Sequence, residues 1–269
     1  MRVLEITTVS SCSNDCHFCP QDAYRKAYKG KPRLSLEDFN AVLAKLPKDI
    51  HIIFSGYSEP FLNSDCTSMV ESAVSKGFKV KVYSTLVGMH AEDVHRLAKC
   101  KLIGFTLHLP DNRGNTKIPA STQEYKDVLS LALQNIAISE TVTMGDDFVD
   151  NERAGLGPTA HGRHLRGMFN CYKLENPQFV LLPNCDVALC CNDFGLRHVL
   201  GNLLKQSYEE ITASPEFRKV KAGRYRMNGD TLCRSCTFAV PLLTYHAYST
   251  VYTNLRPTVA KLLKKRYFG

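Results

Sequence analysis

Short apolar runs rich in β-branched residues alternate with segments of helical period through the first half of this chain, and no hairpin turn separates consecutive runs. Strands that are joined through helices run parallel, whereas an antiparallel pair needs only a tight turn. The runs at 3–9, 51–55, 78–84, 102–107 and 136–143 read as strands. The segments at 36–46, 65–76, 90–98 and 122–133 read as the helices between them. Ser35 stands at an N-cap position with Asp38 three residues on, and Gly77 stands where a left-handed residue ends a helix. The expected fold class is α/β with a parallel sheet.

The pattern changes after about residue 146. Gly, Pro, Arg and His crowd the stretch NERAGLGPTAHGRHLRG, which reads as a long loop. Short strands follow at 178–182 and 187–189 around the turn PNCD, then helices near 207–211 and 216–221. The chain thus divides into a first unit over 1–165, a cysteine-rich unit over 166–240 and a tail over 241–269. That tail holds Arg256, Lys261, Lys264, Lys265 and Arg266 and no acid, within a chain of net charge +8. It reads as a helix with solvated lysines, or as a grip on phosphate.

With 44% hydrophobic and 22% charged residues, the chain can bury a core and is not disordered, collagen-like or a coiled coil. The start, MRVLEITTVS, lacks the apolar run of a secretory signal. The longest uncharged stretch, 235–255, carries a proline, a histidine and several hydroxyls and does not read as a membrane span. A cytoplasmic protein without a membrane partner is expected. In that setting its 11 cysteines stay reduced, and tight cysteine spacings point to metal.

Cys12, Cys16 and Cys19 fall in SSCSNDCHFCP, directly after the first strand. Three thiolates in eight residues can converge on one inorganic body at the strand end where α/β barrels place their chemistry. Closed zinc would need a fourth ligand, for which His17 is poorly placed between two of the cysteines. A [4Fe–4S] cluster held by three thiolates fits better and leaves one iron open.

This C-x3-C-x2-C loop after a first strand resembles the radical S-adenosylmethionine (SAM) superfamily. The resemblance implies a partial (β/α)6 TIM-like barrel, a SAM-binding [4Fe–4S] cluster and SAM itself. It implies reductive cleavage of SAM to a 5′-deoxyadenosyl radical, which takes hydrogen from a substrate carbon. Phe18 matches the ring that relatives place near adenine. Gly56-Tyr57-Ser58-Glu59-Pro60 resembles the Gly-Gly-Glu-Pro turn that holds the SAM ammonium, with Tyr57 and Ser58 departing from the glycine pattern. Ser84 and Thr85, where relatives carry Thr-Asn-Gly, would meet ribose or carboxylate, or cap the strand end. His108 would face the ribose, or be a hydrogen-bonded histidine. Asn151-Glu152-Arg153-Ala154-Gly155 resembles a stretch that sets an arginine at the barrel mouth, so Arg153 would face SAM or substrate; a loop arginine is the other reading.

Cys171, the Cys190-Cys191 pair, GNL at 201–203, SPEF at 214–217 and the CxxC of Cys233 and Cys236 resemble the auxiliary-cluster module called SPASM, in its short twitch form. The resemblance implies a closed auxiliary [4Fe–4S] cluster on Cys171, Cys190, Cys233 and Cys236, with Cys185 or Cys191 as substitutes for Cys190. A four-cysteine zinc site has the same spacing. Cys66 and Cys100 lie on helical patterns and read as packed thiols; His90, His95, His161, His164 and His198 read as structural or solvated.

The whole pattern most resembles the 2-deoxy-scyllo-inosamine dehydrogenase type of radical SAM enzyme. It implies net oxidation of a small polar metabolite, with the auxiliary cluster accepting an electron. The competing substrates are a nucleotide or a hypermodified base in phage-type DNA, and a peptide, although the first strand begins at residue 3 and leaves no room for an N-terminal docking domain. The non-enzyme reading is an iron–sulfur or zinc module that binds nucleic acid. The enzyme would need a reducing electron donor such as flavodoxin or ferredoxin.

Overall fold

The computed structural model describes residues 1–145, 152–157, 160 and 162–246. The five strands expected in the first half all form: β1 (Val3–Ile6), β2 (His51–Phe54), β3 (Lys79–Ser84), β4 (Gly104–Pro110) and β5 (Glu140–Met144). They pair in chain order and in parallel, with Ile6 opposite Phe54 and Phe54 opposite Val82. Helices α2 (Leu36–Lys45), α3 (Cys66–Ser75), α4 (Ala91–Leu97) and α5 (Gln123–Asn135) fill the connections. Ser35 caps α2 as expected, its side chain accepting from the Asp38 amide.

Period-2 alternation divides the two faces of the sheet. Leu4, Ile6, Ile52, Phe54, Val80, Val82, Phe105 and Leu107 lie on one face, fully buried. They pack against Phe39 and Val42 of α2, Met69 and Val70 of α3, Val94 of α4 and Val128 of α5. The opposite face carries Glu5, Lys81, Tyr83, Thr106, His108 and Glu140, as the register between neighbouring strands requires. On β3 and β4 this face is polar as far as His108, and β5 adds Val142 and Met144 to it.

Two elements lie outside the sequence expectation. Helix α1 (Gln21–Ala27) starts two residues after Cys19. Its sequence, QDAYRKA, has only Gln21 and Tyr24 buried, so the apolar period is too short to announce a helix. Strand β7 (Gln178–Leu181) pairs in parallel with β1, on the side away from β2. The sixth parallel strand thus comes from the cysteine-rich half, and the sheet continues through β8 (Asp186–Ala188) and β9 (Val199–Asn202), both antiparallel. Short β6 (Phe169–Asn170) and β10 (Val240–Pro241) form a separate pair. Helices α6 (Tyr172–Glu175), α7 (Tyr208–Thr212) and α8 (Pro215–Gly223) complete this half. Cys66 opens α3 and is buried, whereas Cys100 lies three residues beyond the end of α4 rather than on it. Among the described residues no helix is long and apolar enough to cross a membrane. The basic residues from 256 to 266, Asn151 and His161 lie outside the described residues.

Candidate functional site

At the carboxyl ends of β1 to β5 a cavity of about 630 Å³ opens between the cysteine loop and the strand ends. Cys12, Cys16 and Cys19 line it together with Phe18, and Gly56 to Pro60 form another wall. Thr85, His108 and Arg153 also reach it. Every residue assigned from sequence to the first cofactor is brought here except Ser84, which stands behind Glu59.

Burial raises all three thiols, Cys19 to about 11. For Cys16, negative charge on Cys19 and Cys12 adds to the effect. Three thiolates pressed together oppose one another and are relieved by a cationic body, since metal coordination deprotonates a thiol outright. The donor set therefore fits an iron–sulfur cluster held at three corners. Among the described residues no three His, Cys, Asp or Glu side chains are set around a single metal ion.

The turn after β2 is held from within. Gly56 has φ +75°, and a Cβ there would collide with Thr7 Oγ1. Only glycine brings the chain across β1 at that point. Glu59 is buried and accepts four hydrogen bonds. Ser84 Oγ donates at 2.7 Å and the Phe61 amide at 3.3 Å to Oε1, while the Thr85 amide and hydroxyl each donate at 2.7 Å to Oε2. Burial raises its pKa, against the pull of these donors. Four donors fill the lone pairs of a carboxylate. In this arrangement Glu59 locks the turn to the end of β3, and the Ser84 and Thr85 hydroxyls are spent on Glu59. Asn14, from the cysteine loop, donates to Thr85 Oγ1 at 2.8 Å and joins the same network.

Tyr57, where relatives place a glycine, points away from the mouth. Its ring is fully buried between Tyr24 and Phe194, at centroid distances of 4.9 and 4.5 Å. Its hydroxyl donates to the Cys190 carbonyl at 2.7 Å, and its own carbonyl accepts from Gln21 at the start of α1. One side chain thus ties the first cysteine loop to the second cysteine set. Ser58 Oγ donates to the Val9 carbonyl at 2.9 Å.

His108 stacks obliquely on Tyr83, with ring centroids 5.8 Å apart. Burial lowers its pKa to about 4, so at neutral pH it is an uncharged imidazole suited to hydroxyl groups. Arg153 sits in a run of left-handed residues, Glu152 to Gly155, with φ between 42° and 86°. Such backbone costs about 1–2 kcal/mol for each non-glycine residue and marks sites held by their surroundings. Its guanidinium carbon lies 5.5 Å from the Phe194 ring centroid. Its charge acts on both Cys19 and Cys191.

Those second cysteines line a separate, small pocket. Cys171, Cys190, Cys233 and Cys236 all line it; Cys185 and Cys191 do not. Burial pushes Cys171 up to about 11 and Cys190 and Cys233 well above the thiol range. Asn192 donates to Cys236 Sγ at 3.3 Å. Fully buried Arg234, between the cysteines of the CxxC, donates to the carbonyls of Leu165, Gly167, Gly223 and Arg226 at 2.6 to 3.2 Å. His198 is structural, as expected. Its Nε2 accepts from the Leu232 amide at 3.1 Å, which leaves Nδ1 as the donor to Glu216 at 2.7 Å. His164 is exposed.

Sequence reading missed the polar residues on the inner face of the sheet and the lysine beside Cys191. Lys173 Nζ lies 2.9 Å from Cys191 Sγ. Burial opposes its charge, but Cys191 and Glu5 hold the ammonium well above the ordinary lysine range. Ser55 donates to Glu5 at 3.2 Å, Lys81 to Tyr83 at 2.8 Å and Thr106 to Glu140 at 3.3 Å. The available signal was the polar residue at alternate positions of β3 (Lys79, Lys81, Tyr83) and of β4 (Thr106, His108), opposite the apolar ones.

Residues 6–155 match the family model of the radical SAM superfamily, and residues 171–237 match SPASM, an iron–sulfur cluster-binding domain. No curated protein matches the chain in sequence. Among solved structures, BtrN in complex with AdoMet and 2-DOIA is similar, with a TM-score of 0.67 and 16% identity over 88% of this chain and 92% of that one. Native anSMEcpe with bound AdoMet is similar at 0.54 and 12%, over 81% and 82%. Streptococcus suis SuiB bound to precursor peptide SuiA is similar at 0.55 and 13%, over 87% and 69%. At these identities the likeness is one of fold.

Proposed function

Since this chain belongs to the radical SAM superfamily and carries a SPASM domain, we propose that it oxidises a small polar metabolite, with one auxiliary cluster taking up the electron left on the substrate. SAM, a SAM-binding [4Fe–4S] cluster and auxiliary cluster chemistry are its cofactors. When bound, they supply a carbon radical that removes a hydrogen atom from the substrate.

In this reading Cys12, Cys16 and Cys19 hold the first cluster, and Cys171, Cys190, Cys233 and Cys236 hold the auxiliary one. Phe18 and the backbone of Gly56 to Ser58 border SAM. Glu59, Ser84 and Thr85 keep that turn in place, and neutral His108 meets a hydroxyl group. Arg153 clamps a carboxylate or hydroxyl oxygen at the mouth. Holding the target carbon still is the chief task of the protein, because a misplaced radical reacts elsewhere.

The observation that carries the substrate class is the polar face of the sheet. Of that face, Tyr83 and His108 reach the cavity, and with Ser55, Thr85 and Arg153 they offer donors, acceptors and a positive charge to a hydroxylated substrate. BtrN, whose structure holds 2-DOIA, shares the fold. The test is anaerobic. Holoenzyme, SAM and reductant are incubated with polyols and amino sugars, nucleotides, duplex DNA or peptides, and 5′-deoxyadenosine is followed. Stimulation by a polyhydroxylated metabolite, recovered lighter by two hydrogens, is expected. Stimulation by DNA or peptide alone would contradict the proposal.

A further inference from the structure

Between Asp22 and Glu37 the chain carries Arg25, Lys26, Lys29, Lys31 and Arg33 and no acid. All five side chains are exposed. They stand on a fixed strap. Tyr24 and Tyr28 stack at 5.4 Å and are buried beneath it. The Tyr28 hydroxyl donates to the Lys31 carbonyl at 2.8 Å. The Ser10 amide donates to the Pro32 carbonyl and the Leu34 amide to the Thr8 carbonyl, both at 2.9 Å. The strap therefore runs beside Thr8 to Ser10, the residues that lead into Cys12.

Arg25, on α1 directly after the cysteine loop, also feels negative charge on Cys19 and Asp15. Within the cysteine loop Asp15 pairs with Lys117 at 2.5 Å, and Arg25 also acts on Asp15, so two cations bear on the loop. Arg25 is partnered by Asp22 and Lys31 by Asp38. Among the described residues, Lys26, Lys29 and Arg33 pair with no acid. None of these cations lines the cavity where SAM and substrate meet.

We infer that this strap is the docking surface for an acidic electron-transfer protein that reduces the first cluster. The inference rests on the reading above, in which the cluster on Cys12, Cys16 and Cys19 is reduced from outside before SAM is cleaved. The donor protein gives up one electron, the cluster accepts it, and no atom is transferred. A basic surface beside the acceptor, apart from the substrate mouth, steers an acidic donor to the short route and leaves the mouth free. Phosphate of DNA would meet the same charge, but a DNA substrate must deliver a base into the cavity that these cations do not border.

The test uses holoenzyme and an acidic FMN flavodoxin in its fully reduced form. Cluster reduction is followed by absorbance at several salt concentrations, and binding is measured separately by calorimetry. The Lys26→Glu, Lys29→Glu, Arg33→Glu variant is expected to lose at least about tenfold in both rate and affinity, with a flattened salt dependence. A Lys26→Gln, Lys29→Gln, Arg33→Gln variant keeps side-chain length and gives an intermediate loss. Photoreduced deazaflavin, a small reductant that needs no docking, reduces all three proteins alike and supports equal 5′-deoxyadenosine formation. Unchanged flavodoxin rates in both variants would overturn the inference, as would loss of duplex-DNA binding with flavodoxin reduction intact. Absence of SAM cleavage in the wild type with deazaflavin would overturn the enzymatic reading and the inference with it.

Discussion

Cys12, Cys16 and Cys19 lie within one eight-residue loop, whereas Cys171, Cys190, Cys233 and Cys236 come from separate segments. The first site borders a cavity that reaches the strand ends, and the second lines a smaller, more enclosed pocket among apolar side chains and its own cysteines. A local loop leaves one side of its cargo uncovered, and that is where a further ligand enters. A site gathered from distant segments surrounds its cargo, but each segment must be anchored. The anchors are visible: Arg234 ties the CxxC to four carbonyls, and Tyr57 ties the Cys190 turn to the first half. The open site depends on chemistry at its rim, and the closed site depends on the fold around it.

That contrast breaks most sharply at Arg234. Its replacement by leucine removes the donor to four carbonyls, that of Gly223 in a buried bond and the others part-buried, and a buried carbonyl costs about 1–3 kcal/mol when unpaired. Arg234→Leu is therefore expected to lose at least about 3 kcal/mol, by denaturant midpoint, with the iron of the second site lost first. Equal loss of iron from both sites would erase the distinction. A smaller effect lies at His108. Its folded pKa of about 4 lies below the ordinary 6.5, so between these values the unfolded chain binds a proton that the folded chain does not. Stability falls as pH drops from 6.5 toward 4, by up to about 1.4 kcal/mol per pH unit. His108→Gln should narrow the difference in melting temperature between pH 7 and pH 5; an unchanged difference would place the imidazole in a wetter setting. Smallest is Tyr57→Phe, which keeps the ring and removes the hydroxyl shared by the Cys190 and Asp193 carbonyls, at a cost of about 1 kcal/mol. It is expected to shift the spectrum of the auxiliary cluster while SAM cleavage continues. A shift in the first cluster instead would mean that Tyr57 serves the SAM turn.

The same contrast explains what could be read from sequence. The first site was legible because its ligands are neighbours in the chain and follow a strand whose hydrophobic period is clear. The four cysteines of the second site were legible only through a spacing pattern, yet all four line one cavity. What stayed hidden is long-range. Nothing local announces that Gln178–Leu181 pairs with β1 across more than 170 residues. Nothing in GYSEP tells that Tyr57 turns toward Cys190, or that Ser84 and Thr85 spend their hydroxyls on Glu59. The strand bounds were less legible, because side-chain period does not mark the last ladder bond: the run 3–9 yields Val3–Ile6, with Val9 bridging to Arg33 instead, the run 136–143 starts four residues ahead of Glu140–Met144, and the run 102–107 stops three residues short of Pro110.

The claim that one cysteine set leaves an iron open while the other is closed is tested most directly by electron paramagnetic resonance of the reduced holoenzyme with and without SAM, in Cys16→Ala and in Cys236→Ala. Each variant is expected to retain about four of about eight irons. In Cys236→Ala the remaining signal should shift on adding SAM, and 5′-deoxyadenosine should still form. In Cys16→Ala the signal should ignore SAM and cleavage should fall to background. A SAM-dependent shift in Cys16→Ala, or its absence in Cys236→Ala, would contradict the account.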